Sequence, residues 1–454
     1  MNSPNPTIDY YRCPESLVTL PRSRDLQNRA GYFRIEPELI AFAKTAQGTE
    51  VSDSPANPSL AWNPRNGTEN GLPFDPSEVI SNLLFEQYAS SNGTSKDSAN
   101  WKKNAIRNAY YLVRPLLPVS VRKHFQRLSL RGWQQIPFPH WPVDTTVDRL
   151  QRMFLRIALD QSNLDEIPFI WFWPEGLPAC AIMTHDVEAP AGRDFCKTLM
   201  DLNDSFAIKS SFQIVPEERY NVPSDWLQLI TSRGFEVNVH DLNHDGHLFD
   251  DHHEFLRRAA KINSYGKQFA AVGFRSGVLY RNQAWMRALE FEYDMSVPNV
   301  AHLDPQRGGC CSVMPYLNGN LVELPVTCTQ DYSLFNILQD FSIDLWKTQI
   351  ASIAKINGMA SFIVHPDYVI ANRARDTYSQ LLAHLSQLRR ENKIWLPLPR
   401  DVARWWRDRS RMRLVRSPQG WTIEGPSSHR ARLAFARKVG SDIVYHLAGA
   451  QESC

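Results

Sequence analysis

The chain has 454 residues, enough for two or three domains, and its 43% hydrophobic and 22% charged residues exclude a mainly disordered, collagen-like or fibrous protein. Fifty Lys and Arg against 48 Asp and Glu leave a formal net charge of +2, which gives no bulk electrostatic support for a nucleic-acid partner. No stretch reaches the roughly 18 consecutive apolar residues of a membrane helix. The opening MNSPNPTIDYYRCPES lacks the basic and then apolar run of a secretory signal, so a soluble, cytoplasmic protein is expected.

The first hundred residues show little periodic pattern. SDSPANPSLAWNPRNGTENGLPFDP reads as loop, and VISNLLFEQYASS reads as a helix. NGT occurs at 66 and again at 92, a glycosylation-acceptor match that has no physical consequence without a signal peptide. Residues 101–133 hold two helical runs broken by Pro115 and Pro118. The second run is basic and amphipathic; it reads as an ordinary surface helix, with peripheral contact to an anionic membrane as the alternative. Residues 1–170 are therefore expected to form a mostly helical or irregular accessory region.

From about residue 168 short β-rich runs alternate with helical ones. CAIMTHD, KSSFQIVP, FEVNVHD, AVGFRS, LVELPV, MASFIVHP and KIWLPLP are the strand candidates. Such alternation predicts a parallel α/β sheet or barrel with its helices outside, and its chemistry gathered at the carboxyl ends of the strands. Beyond 400, RDVARWWRDRSRMRLVR is a strongly basic helix, followed by two strand-like runs that predict a small β module over 401–454. The cysteines Cys13, Cys180, Cys196, Cys310, Cys311, Cys328 and Cys454 are odd in number, and their one close pair is adjacent. Reduced thiols are expected, with neither a disulfide framework nor a cysteine zinc site.

Six of the 13 histidines fall between 185 and 253. The first strand candidate ends in THDVE, where alternation puts Asp186 and Glu188 on one face and His185 and Val187 on the other. Of two such carboxylates, one can bind a metal and the other can take a proton. The third strand ends in VHDLNHDGH, where His240 and His244 have the spacing of one helical turn and can reach one ion. Two His and one carboxylate leave coordination positions open, as catalytic zinc requires. Arg275 in GFRSG, Asp294 in EYDMSVPN and His365 in MASFIVHPDY stand at or near later strand ends.

In this order THDVE, HDLNH, GFRSG, EYDMSV and FIVHPDY resemble the five motifs of the polysaccharide deacetylases, carbohydrate esterase family four, over roughly residues 175–400. The resemblance implies a distorted (β/α) barrel of about seven strands over 171–400, flanked by the N-terminal region and the C-terminal β appendage. It also implies metal-dependent hydrolysis of N-acetyl groups on a saccharide, with zinc first and cobalt, manganese or nickel as alternatives. Asp186 matches the catalytic base, His240 and His244 the metal ligands, and Arg275 the residue that orients the base. Asp294 matches the residue that tunes the acid, and His365 the acid.

Two positions depart from the pattern. Val187 stands where the family has its metal-binding Asp; Glu188 is the substitute, the alternative being that Asp186 itself binds the metal. Gly277 stands where Pro is usual, so the substrate groove is expected to differ. The same site could cleave a small non-sugar amide or cyclic ureide, or the chain could bind saccharide without catalysis. Away from the motifs, His185 is expected to pack behind the site and His247 is a further ligand candidate. His252 and His253 read as exposed residues opening a helix. Trp285, Trp346 and Trp395 read as core, and Tyr280 and Tyr332 as groove candidates.

Overall fold

The computed structural model describes residues 5–21, 25–36, 38–62, 71–91, 130–440 and 442–449. The run 101–129, which holds most of the basic amphipathic segment, and both NGT sequences lie outside these residues.

Fifteen strands are described, β1 (Leu26–Glu36), β2 (Leu39–Ala46), β3 (Glu166–Ile170), β4 (Cys180–Val187), β5 (Ser211–Ile214), β6 (Glu236–His240), β7 (Gly273–Arg275), β8 (Tyr293–Asp294), β9 (Tyr316–Asn318), β10 (Leu321–Glu323), β11 (Met359–Ile363), β12 (Arg413–Ser417), β13 (Gly420–Glu424), β14 (Leu433–Val439) and β15 (Asp442–Leu447). Eight of them form one sheet in the order β11-β4-β5-β6-β7-β8-β10-β9, curled into a distorted (β/α) barrel with β11 and β9 at its two edges. All its pairings are parallel except that of β10 with β9. Helices Pro190–Ser205, Ser224–Ser232, His252–Phe269, Asp344–Lys355 and Asn372–Arg390 return the chain between strands, as parallel pairing demands. About seven strands were expected; the eighth arises from the short β8 and β9, whereas KIWLPLP contributes a single bridge, Trp395 to Cys180.

Every residue of β4 is buried, because helices cover one face and the barrel interior the other. Ala181, Met183 and Val187 pack with Leu199, Phe212 and Leu381 in the helix-covered core. Cys180 and Ile182 pack with Tyr293 and Met359 in a second cluster. This alternation carries Thr184 and Asp186 to the interior face at the carboxyl end of the strand. The register then sets Thr184 beside Ile363, Asp186 beside Gln213, and His240 beside Arg275.

The N-terminal region corrects the helical or irregular expectation in one respect: β1 and β2 form an antiparallel hairpin. Leu39, Ile40, Ala41, Phe42 and Ala43 are all buried in a cluster with Phe74, Leu150 and Phe154, so β2 lacks the alternation that marks a half-buried strand. The C-terminal strands do not all belong to one separate sheet. β14 pairs with β15 on one side and with β3 on the other, joining residues 166–170 to the end of the chain, while β12 and β13 form their own hairpin. Among the described residues no helix is long and apolar enough to cross a membrane.

Candidate metal centre and its acid–base pairs

β4 delivers Asp186 and, one residue past its end, Glu188; Pro190 then opens a helix at the position where a missing N–H costs nothing. Glu188 is the hub. Its Oε1 lies 2.9 Å from His244 Nε2, 3.5 Å from His240 Nε2 and 3.4 Å from His365 Nε2. Asp186 Oδ2 is 3.8 Å from His240 Nε2.

His240 ends β6, and its Nδ1 stands 3.1 Å from the carbonyl oxygen of Arg275, an acceptor that fixes the Nδ1–H tautomer and leaves Nε2 with a lone pair facing the centre. His244 arrives by a different route from the one its spacing predicts. Residues 241–247 form a loop, with Asp241 at φ 57° and His244 at φ 55°, so two left-handed residues fold the chain back and no helical turn exists. Gly277 makes room for this loop: a Cβ there would fall 2.4 Å from Asp241 Oδ2 and 3.1 Å from His244 Cδ2. That crowding is a local reason for glycine at the position where the resembled motif has Pro.

The Nε2 atoms of His240 and His244 are buried and out of alignment with any hydrogen-bond partner. Donor atoms of Glu188, His240 and His244 all lie within 4.8 Å of one another. Buried imidazole lone pairs aimed at a shared carboxylate fit one divalent cation with open coordination positions.

Two pairs flank this cluster. The Arg275 guanidinium donates from Nη1 to Asp186 Oδ1 at 2.5 Å and to Thr184 Oγ1 at 2.8 Å, and from Nε to the Met295 carbonyl at 3.0 Å. Burial alone would raise the Asp186 carboxyl, but Arg275 and His240 hold it below the usual range. For Glu188 burial is likewise overcome, chiefly by His244, and its carboxyl lies well below the usual range. On the other side, Asp331 Oδ1 lies 2.7 Å from His365 Nδ1, and its Oδ2 accepts the His365 backbone N–H at 2.7 Å. Against the pull of burial, Asp331 raises the His365 imidazole well above its ordinary value.

Asp331, not Asp294, makes the carboxylate contact to His365. The Asp294 carboxyl accepts from Ser296 Oγ at 2.6 Å and from the Ser296 N–H at 3.3 Å, and it neighbours Glu323, whose buried carboxyl is pushed well up. Asp294 ends β8 with its carboxyl bound by Ser296; the group that meets His365 is Asp331. The sequence carried one signal for it, as Asp331 is the only charged residue between Glu323 and Asp340.

The remaining candidates fall as follows. His185 is fully buried on the far face of β4, with Nδ1 2.9 Å from the Val364 carbonyl oxygen and Nε2 3.0 Å from Asn203 Nδ2, and burial lowers it to about 4. His247 does not join the cluster; its Nδ1 lies 2.7 Å from Asp250 Oδ2. His252 and His253 are exposed at the start of their helix, whose N-cap is Asp251. Trp346 is core, with Trp285 and Trp395 partly buried against the two clusters. Tyr332 stands with its ring 5.7 Å from that of Tyr368, which is 4.9 Å from the His365 ring.

No family model matches the chain, and no curated protein matches it. Solved structures do. The chain is similar to a Mycobacterium smegmatis protein assigned by name as a polysaccharide deacetylase, at 18% identity over 52% of this chain and 93% of that one, with a TM-score of 0.42. It is similar to an allantoinase at 12% identity over 52% and 92%, with a TM-score of 0.41. It is also similar to a peptidoglycan deacetylase from Bacillus subtilis at 12% identity over 50% and 93%, with a TM-score of 0.32.

Proposed function

We propose that this chain is a metal-dependent amidohydrolase that removes a small N-acyl group, acetyl in the first instance, from a saccharide. The observation that carries the proposal is the pair of buried Nε2 atoms of His240 and His244 converging on Glu188 without an aligned hydrogen bond, with Asp186 and His365 on either side.

Glu188, His240 and His244 would hold the ion, zinc being the first candidate for two imidazoles and one carboxylate, and when bound it polarises a carbonyl and lowers the pKa of water. Asp186 is the weaker candidate ligand, because its Oδ1 is committed to Arg275 and its Oδ2 is farther from His240 than Glu188 is. It is instead the base, taking the proton of the attacking water at Oδ2, while Arg275 holds the carboxylate in place. His365, charged through Asp331, donates a proton from Nε2 to the leaving nitrogen, and Asp331 keeps its ring oriented through Nδ1.

Acetate release from N-acetylated sugars by the metal-replete protein tests the reading, together with its metal content. About one divalent ion per chain, lost with activity in His240→Ala, is the expected result. A chain that holds no divalent ion and whose His240→Ala variant behaves like the parent removes the proposal.

A further inference from the structure

His365 is followed by Pro366 and Asp367, and the mechanism above uses neither. Asp367 Oδ1 is buried, and among the described residues the carboxylate has no donor beyond its own backbone and no ion pair. A carboxylate oxygen buried without an outside donor is costly to keep, although the N-terminus of helix Pro190–Ser205 beside it favours negative charge. It lies against Gly192 in the first turn of helix Pro190–Ser205, where a Cβ would stand 3.4 Å from Asp367 N and Oδ1. Burial raises the Asp367 carboxyl, His365 works against that, and Glu188 and Asp331 add to it; in the chain it stands two residues after His365. Beside it, Tyr368 and Tyr332 give a half-buried aromatic wall that continues from the His365 ring.

A carboxylate is an acceptor only, and its natural complement is a donor brought in by the substrate. Aromatic faces next to such an acceptor suit a pyranose, whose C–H face packs on the ring while its hydroxyls bond in the plane. We infer that Asp367 is a specificity-determining residue that accepts a hydrogen bond from a hydroxyl of the saccharide unit carrying the N-acyl group, with Tyr368 and Tyr332 packing against that unit. This rests on the deacylase reading and narrows it, because a small amide without hydroxyls leaves Asp367 unpaired.

The test uses the zinc-loaded full chain with N-acetylglucosamine and its monodeoxy analogues. Removing one particular hydroxyl is expected to lower the parent's kcat/KM roughly ten- to a hundredfold, through KM. Asp367→Ala loses the same on the intact sugar, Asp367→Asn recovers part of it, and the variant and analogue losses do not add. Additive losses, or a fall in kcat that treats every analogue alike, overturn the inference. Unchanged zinc content in each variant shows that the site is folded. Saturation-transfer NMR on the same series separates the two readings. Hydroxyl-dependent binding that Asp367→Ala abolishes, without acetate release, retains Asp367 and removes the deacylase; binding indifferent to Asp367, or none, removes Asp367 as a sugar ligand.

Discussion

Gly277 and Asp241 are locked together: the Gly277 N–H donates to Asp241 Oδ2 at 3.2 Å, and a Cβ on Gly277 would fall 2.4 Å from that same oxygen. The contact matters because Asp241 and His244 are the left-handed residues of the loop that aims His244 at Glu188. Gly277→Ala is therefore expected to displace the Asp241 carboxylate and, with it, the His244 ring. A zinc titration against a chelator of known affinity should show binding weakened about tenfold or more, as when a ligand's supporting contact is lost. Unaltered affinity would mean that the loop absorbs the extra methyl and that the glycine has no bearing on the metal.

Asp331 and Asp294 make opposite forecasts. Asp331→Asn removes the charge that pairs with His365 Nδ1, so kcat should fall about a hundredfold while KM stays within a few-fold of the parent. Asp294→Asn relieves a buried carboxyl neighbour of Glu323 and touches no part of the acid, so its larger effect should be on stability. Steady-state kinetics of both variants, beside urea unfolding, decides between them. If Asp294→Asn costs kcat more than Asp331→Asn does, the assignment made here is reversed.

The contrast between these two acids also shows how far a sequence reading reaches. Asp186, Glu188, His240, Arg275 and His365 were found because strand alternation and strand ends are periodic, local signals, and the register of β4, β6, β7 and β11 then brings them together. Asp331 lies in a loop, where no period relates sequence position to direction, and its partner is 34 residues away. The His240 and His244 spacing pointed to two side chains that do converge, but loop residues with positive φ bring this about in place of the expected helical turn. β1 and β2 escaped notice because β2 is buried on both faces and shows a solid apolar run. Likewise nothing local to LAFARKV marks β14 as the partner of β3, more than 260 residues earlier; that pairing belongs to tertiary structure.

At the other end of β6 from His240, Glu236 is buried and accepts from Tyr293 Oη at 2.7 Å; burial raises its carboxyl to about 7. The folded form binds this proton more tightly than the unfolded chain, whose Glu titrates near 4.3. The contribution to stability is therefore full below about pH 4 and is lost as pH rises through about 7. Glu236→Gln keeps the acceptor for Tyr293 without the charge. The gap in unfolding free energy between parent and variant should shift by on the order of 2 kcal/mol between pH 5 and pH 8, with the parent losing more. Urea titrations at the two pH values check this, and a pH-independent gap would place the Glu236 carboxyl back in the ordinary range.

Arg409 ties three segments together without an acid. Fully buried in helix Pro399–Arg411, it donates to the carbonyls of Trp171 at 3.0 Å, Ile170 at 2.6 Å and Tyr11 at 3.2 Å. The guanidinium also lies over the Phe172 and Trp406 rings, 5.3 and 5.1 Å from their centroids. Its planar fork reaches carbonyls at the end of β3 and in the N-terminal arm at the same time. Arg409→Met keeps the stem and strands the carbonyls, and should destabilise the chain by roughly 3 kcal/mol. Arg409→Lys should recover only part, since one ammonium cannot reproduce the fork. The arm around Tyr11 should be the first part to loosen, so limited proteolysis would cut the variant near the N-terminus at protease levels the parent withstands. Equal cutting rates, with equal unfolding midpoints, would show that the arm is held by the Tyr11 and Tyr445 hydroxyl contact and the surrounding rings instead.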